Sequence, residues 1–202
     1  MITTDSKHIK REKLLDQGVS LLMAQGYHGT GLKAILDSVQ IPKGSFYHYF
    51  ENKEAFGAEV IAHYIAPFIT QLEGHLQNNE GDALSAMTFY FDELIRLTKQ
   101  TEFKGGCLLG NLMGEIGDTS EVCQLALKSA VADYRDLLER GLFQAQRQGT
   151  VRGDKTAKRM ADLLVDGWQG ALLRMKIEQS IEPLERCCDD LLHDYFKVNY
   201  RR

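Results

Sequence analysis

The 202-residue chain is long enough for one large domain or two modest ones, with a sizeable buried core in either case. Its 44% apolar and 26% charged residues are those of a globular protein, and no apolar run approaches the roughly 18 residues that would indicate a membrane span. A formal charge of −4 excludes a chain that is basic throughout, yet the charge is uneven: residues 1–53 hold seven Lys or Arg against five acids, net +2, and the remainder is net −6.

The first residues, Met1 to Arg11, lack the apolar stretch and small-residue cleavage site of a signal peptide, so a cytoplasmic location without membrane attachment is expected. There the four cysteines, Cys107, Cys123, Cys187 and Cys188, should be thiols. None stands in a CxxC pair or at zinc-finger spacing from a histidine, so neither a metal nor another cofactor is expected.

Only three prolines, many helix formers and almost no β-branched alternation predict an all-α fold of about nine helices. A first helix is expected over 6–25, with apolar residues at Leu14/Leu15, Val19 and Leu22/Met23, stopping at Gly26. A short second helix follows from Thr30 or Gly31 to about Val39, and a third from Pro42, a first-turn residue, to about Tyr49. A long helix opens at Lys53 and runs to about Asn78, with Pro67 inside it as an expected kink or break. The domain boundary is placed there, between an N-terminal domain of 1–53 and a helical body of 54–202. Gly and Pro punctuation divides the rest into helices near 82–101, 106–116, 119–148, 155–180 and 183–199. The last two carry apolar stripes, Ala161, Leu164, Trp168, Leu172, Met175 and then Leu184, Cys188, Leu192. Such stripes fit either a homodimer through the last two helices or each helix facing its own core.

Two short helices joined by a tight turn, behind a longer amphipathic helix, describe a unit that reads double-stranded DNA. Small residues at Pro42-Lys43-Gly44-Ser45 leave backbone N–H groups open to a phosphate, and Lys43 adds a charge. Tyr47, His48 and Tyr49 bring hydroxyl and imidazole groups to base edges or phosphates, while Phe46 and Phe50, four apart, should anchor the helix. Thr30 fits a helix-start hydroxyl that also donates to phosphate.

The run from Gly26 to Ile35, followed by Ile41 to Glu54, closely resembles the TetR family signature. That resemblance implies a homodimeric regulator with a helical body whose ligand pocket controls two DNA-binding heads. It carries DNA contact onto Thr30, Lys33, Lys43, Gly44, Ser45, Tyr47, His48 and Lys53. Where the family's turn usually reads Ala-Gly-Val, this chain has Val39-Gln40-Ile41, which asks Gln40 to turn left-handed at a cost of about 1 kcal/mol.

In the body, Gly105-Gly106-Cys107-Leu108 sets a thiol at a helix start, where the dipole favours a thiolate. This segment and the one from Met175 to Glu185 resemble the electrophile-sensing NemR-type branch of the family. The resemblance implies a sensor pair, Cys107 as nucleophile and Lys176 as its cationic partner. Trp168, with Phe89, Tyr90, Phe91 and Tyr134, fits either a ligand pocket or plain core. The expected activity is a repressor released from its operator by a small-molecule or electrophile inducer. The alternatives are a repressor with a purely non-covalent pocket, a thiol-dependent enzyme, for which no phosphate loop or His–Cys–Asp order is present, and a module that binds only protein.

Overall fold

A computed structural model describes residues 4–78, 81–100 and 102–198, with side chains from residue 7 onward except Lys43. Among these the chain is helical and contains no β-strand: α1 (Thr4–Gly29), α2 (Leu32–Ser38), α3 (Lys43–Phe46), α4 (Lys53–Asn78), α5 (Ala83–Gln100), α6 (Leu108–Ile116), α7 (Glu121–Arg147), α8 (Ala157–Glu178), α9 (Glu182–Cys188) and a π-helical stretch, Asp189–Tyr195. No described helix is long and apolar enough to cross a membrane.

Two compact units result, and they do not follow chain order. The first takes the chain as far as Ala66 together with Cys107–Val131, so that α1, α2, α3, the first half of α4 and α6 share one core. Leu14, Leu22, Ile35, Phe46, Phe56, Leu108 and Leu112 are all buried in it. Helices α1 and α4 meet at Gly18, where a Cβ would come within 2.6 Å of both Phe56 and Val60; only a residue without a side chain permits that approach. Asn52 starts α4 by accepting the Ala55 N–H at 2.8 Å. Pro67, carried inside α4, begins the second unit.

The second unit packs Leu72, Met87, Tyr90, Phe91, Leu142, Leu164 and Trp168 in its core. Thr156 caps α8, its hydroxyl accepting the Arg159 N–H at 3.2 Å. At the start of α5, Asp82 accepts from the Leu84 and Ser85 amides and the Ser85 and Thr150 hydroxyls. Burial alone would raise its pKa, but these donors outweigh it and hold the carboxyl below the usual value.

The apolar stripes face the protomer's own core: Ala161, Leu164, Trp168, Leu172 and Met175 on α8, then Leu184, Cys188 and Leu192. The last stripe continues to Phe196 at a constant spacing of four. In an α-helix that spacing drifts by 40° at each step. The wider turn of the π-helical stretch, visible in the 2.9 Å bond from the Phe196 N–H to the Leu191 carbonyl, takes up the drift. The expected α-helix over 183–199 is therefore α only to Cys188, and its last residue lies outside the described ones.

Candidate nucleic-acid interface

Helix α1 breaks where a stop was expected. Gly26 has φ 74° and ψ 177°, a conformation that is essentially glycine's alone. Beyond it the Tyr27 and His28 N–H groups each donate to the Glu115 carboxylate at 2.7 Å. A Cβ on Gly26 would stand 2.7 Å from the same carboxylate. From the other side the Lys53 ammonium donates to the Tyr27 carbonyl at 2.6 Å and lies 4.3 Å from the centre of the Tyr27 ring. Burial, only partly offset by Glu115, pushes the Lys53 pKa below the usual lysine value. The Tyr27 phenol is pushed up to about 12, first by burial and then by Cys123 and Glu54. No sequence motif singles out Glu115: it lies 88 residues from Tyr27, and nothing local marks a carboxylate as the acceptor for a distant turn.

Thr30 is fully buried, its hydroxyl donating to the carbonyls of Gly26 at 2.7 Å and Leu21 at 3.2 Å. The N-cap of α2 is Gly31, with no side-chain cap. The hydroxyl expected on a phosphate is thus committed inside the protein. Helix α2 ends as the departing turn sequence required: Gln40 has φ 55°, its N–H donates to Asp37, and the Ile41 N–H reaches back to Leu36 at 3.0 Å.

Pro42 is the N-cap of α3 rather than its first residue, so the helix starts one position later than expected and covers only Lys43–Phe46. Tighter bonds from His48 to Ser45 and from Tyr49 to Phe46 carry the turn onward. Phe46 and Phe50 are buried against Phe56, with ring centres 4.9–5.6 Å apart. Outward stand Lys33, Gly44, Tyr47 and His48, all exposed, with Ser45, Tyr49 and Lys53 half-buried. The side chain of Lys43 lies outside the described residues. Secondary structure has therefore separated anchoring residues from those with free polar groups.

The expected sensor residues fall in different units. Cys107, half-buried, is the N-cap of α6, and its carbonyl accepts the Asn111 N–H at 3.0 Å. Two glycines in left-handed conformation, Gly105 (φ 87°) and Gly106 (φ 75°), lead into it. Lys176 is exposed in the last turn of α8; within the second unit a Cβ on Gly106 would be 3.8 Å from its Cδ. Trp168 is buried edge-on to Phe91, centres 4.8 Å apart, and Tyr90 sits between Phe91 and Tyr134, whereas Phe89 is 60% exposed. The other thiols are less available as thiolates: burial raises Cys123, Cys187, to about 11, and Cys188.

A family described as bacterial regulatory proteins, tetR family, matches residues 14–60, and one described as tetracyclin repressor-like, C-terminal domain, matches residues 83–191. The chain is 33% identical over 180 residues to the HTH-type transcriptional repressor NemR of Escherichia coli K12, covering 89% of this chain and 90% of that one. It is 31% identical over 176 residues to the HTH-type transcriptional repressor DhaR of Mycobacterium sp. strain GP1, covering 87% of each. The crystal structure of reduced E. coli NemR matches with a TM-score of 0.88 at 30% identity, over 96% of this chain and all of that one.

Proposed function

The chain belongs to the tetR family of bacterial regulatory proteins, and on that footing we propose that it is an operator-binding transcriptional repressor released from DNA by a small-molecule ligand or a reactive electrophile. The observation that carries the reading is the division of labour around α3, with Phe46 and Phe50 in the core while Lys33, Gly44, Tyr47 and His48 are exposed. Residues 1–53 form the DNA-binding head and 54–202 the regulatory and dimerising body. Lys33, Lys43, Gly44, Ser45, Tyr47, His48 and Lys53 meet phosphates and base edges. Thr30 acts behind them by holding the turn between α1 and α2.

Cys107 is the sensing nucleophile and Lys176 its cationic partner, with Trp168 near the effector. Cys107 is half-buried, whereas burial raises the pKa of each of the other three thiols, a contrast that supports this choice. The homodimer forms through α8 and the C-terminal segment, using the edge that the protomer leaves open: Leu163, Leu173, Ile177 and Val198 are 42–80% exposed. The protein works in the cytoplasm, where its thiols stay reduced until challenged.

A footprint on the DNA flanking its own coding sequence, repeated with N-ethylmaleimide and with reductant, tests this reading. A protected site that opens with the electrophile in wild type, but not in Cys107→Ser, is the expected result. Release that persists in Cys107→Ser moves the sensing to a non-covalent ligand; absence of any protected site sinks the repressor itself.

A further inference from the structure

Helix α1 carries Lys7, Lys10 and Lys13 three residues apart. At 1.5 Å and 100° per residue, this spacing sets them along roughly 9 Å of helix on a face about 120° wide. All three are exposed, and among the described residues none forms an ion pair. Their basic neighbours are engaged elsewhere. Arg11 pairs with Glu59 and lies 5.4 Å above the Phe50 ring, and His8 stands 3.8 Å from Glu12.

The three lysines line one side of a groove of about 590 Å³. Gln40, Ser45 and His48 line it too, so the groove runs from α1 to the turn and the third helix. No described carboxylate lines it. Three like charges held this close repel one another, and no described carboxylate pairs with them. A polyanion would.

We propose that this groove receives one strand of duplex DNA, with Lys7, Lys10 and Lys13 neutralising successive phosphates beside the bases that α3 reads. The inference rests on the operator-binding reading above and extends the interface onto a helix outside the helix-turn-helix. The dimensions agree: one strand advances about 3.4 Å per nucleotide along the axis, so roughly 9 Å of lysines faces two or three phosphates. Continuity with Ser45 and His48 favours nucleic acid over any other acidic partner, because the same strand then touches both walls. Phosphate contacts of this kind fix register and add affinity without reading sequence.

The test compares full-length wild type, the triple variant K7Q/K10Q/K13Q, and K128Q as a charge control on exposed α7 surface. Dissociation constants are measured on the footprinted operator and on a scrambled duplex between 50 and 200 mM KCl. The triple variant should bind both duplexes at least about tenfold more weakly at the low-salt end. Its plot of log K against log salt should be shallower by about 0.9 for each phosphate no longer neutralised, roughly 2–3 per protomer. The ratio of operator to scrambled affinity should hold, and K128Q should match wild type. An unchanged slope in the triple variant overturns the proposal, as does a weakening confined to the operator, which would make the lysines readers of sequence. Wild type that binds both duplexes equally removes the operator reading instead, and the slope on scrambled DNA still judges the lysines.

Discussion

Replacing Glu115 by glutamine removes the charge from a carboxylate that holds two backbone N–H groups at 2.7 Å, at the short end of the range for charge-assisted bonds. A glutamine keeps one acceptor oxygen and turns an NH₂ group toward the other donor, so at least one bond is broken. The Tyr27 N–H belongs to a buried residue, where losing a charged partner costs about 1.5–3 kcal/mol. His28 is exposed, and water replaces its partner at about 0.5 kcal/mol or less. The sum is about 1.5–3.5 kcal/mol, which in a chain of this length lowers the melting temperature by roughly 3–14 °C. Hydrogen exchange measures the effect where it arises: protection of the Tyr27 amide should fall by about 10- to 150-fold, since 1.4 kcal/mol is a factor of ten. Unchanged protection at Tyr27, together with a melting temperature within 1 °C of wild type, would refute the claim that Glu115 holds this turn.

Alkaline pH should weaken the same region. The Tyr27 phenol, at about 12 in the fold against 10 in the unfolded chain, contributes stability that is complete below pH 10 and is lost as pH climbs toward 12. Two pKa units correspond to about 2–3 kcal/mol. Lys53, lowered by burial, works in the opposite sense but finishes by about pH 10.5; above it the buried thiols Cys123, Cys187 and Cys188, also raised, still titrate in the same sense as the phenol, so the difference in urea midpoints between wild type and Tyr27→Phe is what isolates the tyrosine. Tyr27→Phe should flatten the profile; an equally steep fall in the variant would assign it elsewhere. Gln40→Gly relieves a left-handed non-glycine residue worth about 1–2 kcal/mol and adds back about 0.5–1 of backbone entropy. An unfolding free energy in urea raised by about 0.5–1 kcal/mol is expected, and a lowered one contradicts the strain assigned to that turn.

Features governed by nearest neighbours were legible in the sequence. Gly26 ends the regular part of α1, Phe46 and Phe50 four apart share a buried face, and Gln40 turns left-handed because the turn needs φ above zero whatever residue fills it. Partners chosen across the fold were not legible. Thr30 looked like a phosphate donor because a hydroxyl before a helix usually caps it or faces solvent, yet here the bend at Gly26 turns the Gly26 carbonyl onto it. The grouping of Cys107–Val131 with the N-terminal helices follows from packing between α1 and α6, which no periodicity within either helix announces. The stripes on α8 and α9 were visible, but whether they met their own core or a second copy depended on the whole unit; the core took them and left Leu173 and Ile177 outside.

Lys53 is anchored before any DNA arrives. Ordering a free lysine costs up to about 2 kcal/mol in rotamer freedom, and at Lys53 the bond to the Tyr27 carbonyl and the ring beneath the ammonium have already exacted it during folding. An ammonium has three N–H donors and this bond uses one; in the interface proposed above, the other two would meet a phosphate without further immobilisation. Exposed Lys33 has no such anchorage among the described residues and would be ordered only on the proposed association. In the interface proposed above, two cations of equal charge would thereby be unequal in what they return, the stiffer contributing more affinity for each phosphate it meets.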